Sequence, residues 1–285
     1  MKQSFELMGI GLRRHPFRFF KSWFLAYSAM WTAISSLAFF FPVLRPTSWS
    51  VWVVLGLAAM FAIGILWGLY RIRPRQRARI HLKPVDTKIE VEYGDLFKVE
   101  GIKAIAVNEF FDSRLGEPVA RSSLHGQLIE RMFQDRTEQF DKLIDEELRS
   151  QSFEEVESIA GKKKRYPIGT TPIVDVGDER FLLPVLCKTD VDTYKAYCDV
   201  PILLTALDGL WSTVRNRAGG KRVSVPLIGS GLSGIGLPPY QLLQLIVLSI
   251  VIASKKGHIR SEIHIILSRE LVGEIDLDTL ENQWS

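Results

Sequence analysis

The sequence predicts a two-helix transmembrane hairpin followed by a single layered α/β domain with a mixed sheet. Three observations carry this. Residues 22–44 and 48–70 are adjacent runs of apolar and aromatic side chains without a charge, each about 23 residues and long enough to cross a hydrocarbon core of about 30 Å. Basic residues crowd the outer flanks of the pair. Beyond residue 86, strand-like and helix-like patterns alternate, as they do in α/β domains.

The N-terminal segment 1–21 holds Lys2, Arg13, Arg14, Arg18 and Lys21 against Glu6 alone. After the second run comes a basic linker, 71–85, with Arg71, Arg73, Arg75, Arg77, Arg79 and Lys83, punctuated by Pro84. The turn Arg45-Pro46-Thr47 between the runs offers one arginine. A Lys/Arg excess marks cytoplasmic flanks, so both termini are expected in the cytosol and the turn outside. Trp23, Trp49, Trp52, Trp67 and Tyr70 lie near the run ends, where amphipathic rings prefer the interface. A signal peptide is a poor fit, because its apolar region is about 7–15 residues and ends at a small-residue cleavage site.

Splitting the charge locates the basic pI. Residues 1–83 hold 12 of the 36 Lys/Arg and one of the 32 Asp/Glu, so the remainder carries 24 basic and 31 acidic side chains, a net charge of −7. The basicity belongs to the anchor, where lipid phosphates explain it. A lipid bilayer is the expected partner and nucleic acid is not. Lys162, Lys163, Lys164 and Arg165 form the one basic cluster of the soluble part and read as a solvated loop. Cys187 and Cys198 lack metal-ligand spacing and are expected as free thiols in a reducing compartment. The five histidines (His15, His81, His125, His258, His264) show no paired ligand pattern, so no metal or cofactor is expected.

In the domain, 86–285, strands are expected at 88–91 and 104–107, the second a short buried run. Residues 124–133 and 139–148 have helical spacing. A hairpin is expected from 172–176 and 181–187 about Gly177-Asp178. Residues 201–214 form a proline-started helix, 222–227 a strand, 239–253 an apolar helix and 262–267 a last strand.

Strand 222–227 runs into Leu227-Ile228-Gly229-Ser230-Gly231-Leu232-Ser233-Gly234-Ile235-Gly236, and Pro238-Pro239 then opens a helix. Strand, glycine loop and helix in that order suit a phosphate: backbone N–H groups form a nest and the helix N-terminus adds partial positive charge. No Lys-Ser/Thr follows, which excludes a nucleotide-hydrolysing P-loop. A tight turn ending a buried strand is the plainer reading of the same glycines. Gly94-Asp95-Leu96 ends one strand with an acid able to accept from an exocyclic amine. Asn108-Glu109-Phe110-Phe111-Asp112 puts polar groups at the end of another, where open α/β sheets bind ligands. Ser123-Leu124-His125-Gly126 starts a helix as a second possible anion site, although for His125 alone capping or packing is the plainer reading.

These residues resemble the macro domain, the ADP-ribose-binding fold, over about 86–270. Gly94-Asp95-Leu96 matches the family's Gly-Asp-Ile, Val107-Asn108 its strand-ending Val-Asn, and Pro226 to Gly234 its phosphate loop. More closely, Val107 to Asp112, Ser123 to Gly126, Tyr166-Pro167-Ile168-Gly169-Thr170 and Pro226 to Gly231 resemble the divergent macro domain of transmembrane–macro effectors in Thoeris anti-phage defence. The resemblance implies a three-layer α/β/α macro-like domain in which Asp95 holds the adenine amine and Ser230 to Ile235 wrap the diphosphate. The ligand-binding set it implies is Asp95, Leu96, Asn108, Glu109, Phe111, Ser123, His125, Gly126, Gly229, Ser230, Gly231, Leu232, Ser233, Gly234 and Ile235.

Hydrolytic macro domains carry a second Asn three residues after the first, and a triple glycine. Here Phe111 stands at that position, and Arg114-Leu115-Gly116-Glu117 has one glycine. An apolar ring cannot orient a water, so the resemblance implies a sensor with no catalytic residues. A membrane-anchored ADP-ribosyl hydrolase and a scaffold with an empty pocket are the alternatives. The implied ligand is an ADP-ribose derivative made by a TIR-domain NAD-consuming enzyme. The implied action is membrane disruption by a homo-oligomer, multi-pass in the bacterial inner (cell) membrane.

Overall fold

The computed structural model describes residues 2–41, 51–82, 87–116, 118–134, 136–157, 161–191, 193, 195–231 and 234–284. The chain divides into two compact units, 1–75 and 76–285. The turn 45–47 and Trp49, read as the tip of the hairpin, lie outside the described residues, as does Pro84.

The first unit is helical. The basic segment forms α1 (Lys2–Arg14), and α2 (Pro16–Phe40) and α3 (Val51–Arg71) follow. Within the described residues α2 and α3 are long and apolar enough to cross a membrane. They pack closely because α3 presents Gly64 and Gly68, one turn apart. A Cβ on Gly64 would stand 2.8 Å from the Trp23 ring, and one on Gly68 2.8 Å from the Phe19 ring. Small residues let helices approach in this way where water supplies no driving force. The start at Pro16 lies ahead of the expected 22, because a proline at the first helical position needs no N–H partner.

The second unit is built on a seven-stranded mixed sheet. Its strands are β1 (Arg77–Leu82), β2 (Thr87–Tyr93), β3 (Ile102–Ala104), β7 (Ile173–Val176), β8 (Glu179–Leu182), β11 (Val223–Pro226) and β12 (Ile263–Leu267), ordered β1-β2-β12-β11-β3-β8-β7. The five central strands are parallel to their neighbours, and β1 and β7 close the edges antiparallel. A smaller sheet holds β4 (Val107–Asn108), β9 (Val185–Thr189) and β10 (Ala196–Tyr197), and β5 (Glu154–Glu155) pairs with β6 (Lys164–Arg165).

Strand β1 corrects the expected linker. Residues 77–82 alternate charged and apolar, and Ala78 and Ile80 are buried while Arg77 and Arg79 face outward. A carboxylate ladder holds the strand: Arg77 bonds Glu92 at 2.5 Å, and buried Glu90 takes Arg77 and Arg79 at 3.2 Å each and Arg222 at 3.4 Å. The run expected at 104–107 is split in two. Ile102–Ala104 pairs with β11 and β8, whereas Val107–Asn108 shifts register onto β9.

Helix α4 (Leu124–Leu128) continues as a π-helical turn, Ile129–Phe133, before α5 (Thr137–Glu147). These bury Leu128, Ile129, Phe133, Phe140 and Ile144 against Ile105, Phe181 and Ile266 of the sheet region. Helices α6 (Val200–Arg217) and α7 (Pro239–Lys256) bury their apolar stripes outside that cluster. They are joined by Trp211 Nε1 donating to Ser249 Oγ at 2.8 Å and by Arg215 donating to Ala253 O at 2.7 Å. Helix α8 (Leu277–Trp284) follows the last strand.

Helix α6 touches the loop before β7 at bare backbone. A Cβ on Gly209 would lie 2.1 Å from Gly169 O, and backbone cannot yield as a side-chain tip does. Gly209→Ala is therefore expected to cost about 1–3 kcal/mol, the usual range for overpacking. In a domain of this size that lowers Tm by about 2–4 °C per kcal/mol. Gly231→Ala, whose Cβ meets nothing within 4 Å, should leave Tm unchanged. Differential scanning fluorimetry on the two variants checks this.

Candidate functional site

The parallel register places the C-terminal ends of β2, β12, β11 and β3 along one edge of the sheet. Gly94 N donates to Leu267 O at 2.9 Å, which fixes the chain leaving β2 beside the end of β12. Asp95 follows. One oxygen accepts from Phe97 N at 3.0 Å and so starts the 3-10 turn Leu96–Lys98. The other stands 3.8 Å from the exposed Lys98 ammonium, and the side chain is 38% exposed, so Asp95 keeps an oxygen facing outward. The Leu96 side chain goes into the core. What Leu96 brings to the edge is backbone.

The glycine loop leaves β11 two strands away. Ile228 N donates to Pro226 O at 2.8 Å, and both Ser230 N and Ser230 Oγ bond Leu227 O, at 3.2 and 2.7 Å. Gly229 has φ +92, and a Cβ there would meet Ile235 Cδ1 at 2.5 Å. Only glycine allows that turn with Ile235 folded over it. Ser230, Gly231 and Gly234 are exposed, and Leu232 and Ser233 lie outside the described residues. Helix α7 then begins at Pro239 with no side chain capping it. Loop amides and an uncapped helix N-terminus therefore share this edge with Asp95, a combination that favours an anion.

Asn108 is spent on positioning. Its Oδ1 accepts from Asp112 N at 3.1 Å and its Nδ2 donates to Asp112 Oδ2 at 2.8 Å. Asp112 Oδ1 takes Lys162 N at 2.8 Å, and Lys162 Nζ donates to Phe111 O at 2.7 Å while pairing with Asp141 at 2.6 Å. Burial holds the Asp112 carboxyl above its ordinary range despite the bonds from Lys162 and Asn108. Phe111 carries φ +51, uncommon for a bulky residue, and is fully buried, edge-on to Tyr166 at 5.5 Å. Phe111 thus pins the 108–112 loop from below, which corrects its expected place among ligand contacts.

The basic run at 162–165 is also corrected. Instead of a solvated loop, Lys162 closes the Asp112–Asp141 network, Lys164 reaches Asp145 at 3.6 Å, and Arg165 reaches Glu109 at 3.2 Å. Nothing local in the sequence marks these pairings, because each joins segments about twenty to fifty-five residues apart.

Ser123, His125 and Gly126 form a packed helix start and not an anion site. Ser123 Oγ accepts from Gly126 N at 2.9 Å and donates to Ala120 O at 2.7 Å, so the hydroxyl proton and the Gly126 N–H are both used within the cap. His125 is buried against Phe140, with ring centroids 5.9 Å apart. Glu109 faces a separate cleft. Cys187 and Cys198 are buried thiols, pushed up to about 12 and about 11, mainly by burial. At neutral pH neither is a nucleophile.

Comparison with known proteins identifies the fold and the family. A variant of the Oceanobacillus iheyensis macrodomain, solved with ADPR, superposes at TM-score 0.50 with 12% identity, covering 73% of this chain and 97% of that one. A second variant of the same macrodomain gives 0.51 and 13%, over 73% and 93%. At such identities the likeness shows the fold, and the fold is that of a macrodomain. The family model described as Thoeris protein ThsA, Macro domain, matches residues 89–268, and the chain belongs to that family. The Thoeris protein ThsA of Bacillus amyloliquefaciens (strain Y2) is 29% identical over 153 residues, 52% of this chain and 50% of that protein. The chain's match thus spans half the length of that relative.

Burial, with Lys162 nearby, depresses His125 to about 3, far below the ordinary imidazole value of 6.5. A histidine held neutral in the fold and protonated on unfolding stabilises the fold above the unfolded value. That stability is lost as pH falls from about 6.5 toward 3. Between pH 6.5 and 5 the loss is about 2 kcal/mol, at 1.36 kcal/mol per unit. His125→Leu should flatten this acid slope, measured as Tm at pH 7 and pH 5. An equal slope in the variant contradicts the assignment.

Proposed function

We propose that this protein is a membrane-anchored anti-phage defence effector whose macro domain senses an ADP-ribose-derived signal nucleotide. The observation that carries the reading is the shared sheet edge: the exposed glycine loop and uncapped α7 N-terminus for a diphosphate, and Asp95 for an adenine amine. Membership of the Thoeris ThsA macro family and the ADPR with which a macrodomain of like fold was solved support the ligand class. Signal production by a TIR-domain NAD-consuming enzyme fits the same system. On binding, the N-terminal helices rearrange as a homo-oligomer and breach the bacterial inner membrane. Both termini stay cytosolic, as the Lys/Arg flanks favour. The ligand drives this only through differential affinity for the rearranged state.

A sensor is favoured over an ADP-ribosyl hydrolase by the loop at 108–112. The Asn108 carboxamide is engaged by Asp112 on both its groups, and the Phe111 ring lies in the core. Leu232 and Ser233 belong to the diphosphate wrap as part of this proposal.

Calorimetry with ADP-ribose tests the site. Asp95→Ala removes an acceptor worth about 1–3 kcal/mol, so affinity should fall about 5- to 150-fold. Gly231→Glu sets a carboxylate where the diphosphate belongs, and like charge opposes binding. Open space around that Cβ leaves the fold undisturbed. ADP-ribose should be recovered intact after incubation. Unchanged affinity in both variants rejects the site, and conversion of the ligand favours the hydrolase.

A further inference from the structure

Glu109 lines a cleft of about 670 Å³ walled by Phe153, Tyr166 and Tyr197, with Lys188 and Thr189 along one side. Its lining includes neither Asp95, nor Asn108, nor any residue of the glycine loop. The volume falls within the range of about 300–1,000 Å³ typical of small-molecule sites.

The chemistry converging on this cleft is incomplete without a ligand. Glu109 is 4% exposed. Its Oε1 accepts from Thr189 N at 3.0 Å and faces Arg165 Nε at 3.2 Å. Among the described residues its Oε2 takes no hydrogen bond, Thr189 Oγ1 is buried without a partner, and Lys188 makes no ion pair. Arg165 is ion-paired with Glu109 and, at 3.5 Å, with Glu154, although its Nε makes no hydrogen bond. The cation left to meet a ligand is Lys188. Phe153 and Tyr197 are 45% and 58% exposed, so the fold leaves two rings in water beside a desolvated carboxylate. A buried hydroxyl without a partner, Thr189 Oγ1, is costly, and a ligand in the cleft can answer it while donating to the Glu109 oxygen that lines the same space.

We propose that this cleft is a second ligand site, distinct in its residues from the glycine-loop edge. It takes a small planar aromatic molecule bearing a ring N–H and a negatively charged substituent. The N–H donates to Glu109 Oε2, the ring lies against Phe153 and Tyr197, and the anion meets Lys188. The proposal does not depend on the nucleotide-sensor reading.

The test uses the full chain in detergent micelles and three probes followed by calorimetry. Indole-3-acetate and guanosine monophosphate each carry a ring N–H and an anion, and 1-methylindole-3-acetate lacks the N–H. Saturable binding of indole-3-acetate or guanosine monophosphate is expected, with 1-methylindole-3-acetate at least tenfold weaker than its parent. Tyr197→Ala and Lys188→Glu, both at exposed positions, should each weaken binding about tenfold with unchanged circular dichroism. Gly231→Glu should leave it intact. The proposal is overturned if neither donor-bearing probe binds, if the methylated compound binds as tightly, or if Gly231→Glu removes the binding and so assigns it to the other edge.

Discussion

The candidate site depends on one constraint, the parallel pairing of β2, β12, β11 and β3. Parallel neighbours end on the same side, so each strand delivers its following loop to a common edge. Asp95 and the glycine loop come from segments more than a hundred residues apart and meet only because β12 inserts between β2 and β11. The Gly94–Leu267 hydrogen bond is where this constraint becomes local geometry. With β12 displaced, the acid and the glycine loop would have no fixed relation.

A second device holds the loop that follows β4. The 108–112 loop is held from above by the carboxamide–carboxylate pairing of Asn108 and Asp112, from the side by Lys162, and from below by the Phe111 ring. A bulky residue at positive φ persists only where its surroundings enforce it, and here the core cluster does so. The same residue that cannot orient a catalytic water thus has a structural reason to be aromatic. The Asp112–Lys162–Asp141 chain ties this loop to α5 and the 162–165 segment.

Much of this was legible in the sequence, and the failures have physical causes. Helices and strands with clean periodicity, such as α6, α7, β2 and β12, fell where their patterns put them. The glycine loop was readable because strand, glycines and paired prolines occur in order. Strand β1 was hidden because Arg77, Arg79 and Lys83 read as membrane flank, although Ala78 and Ile80 kept the alternation. His125, Ser123 and Phe111 were assigned to a ligand by motif position, but burial is decided by tertiary neighbours such as Phe140 and Tyr166. The Glu109–Arg165 and Lys162–Asp141 pairs join distant segments, and no local signal announces them.

The central claim is that a dinucleotide-like ligand sits on the edge formed by the ends of β2 and β11. Hydrogen–deuterium exchange of the full chain in micelles, with and without saturating ADP-ribose, tests it directly. The account predicts slowed exchange of backbone amides at 94–97 and 228–236, with the Glu109 cleft unchanged. Protection absent from both segments, or confined to residues lining the Glu109 cleft, contradicts it.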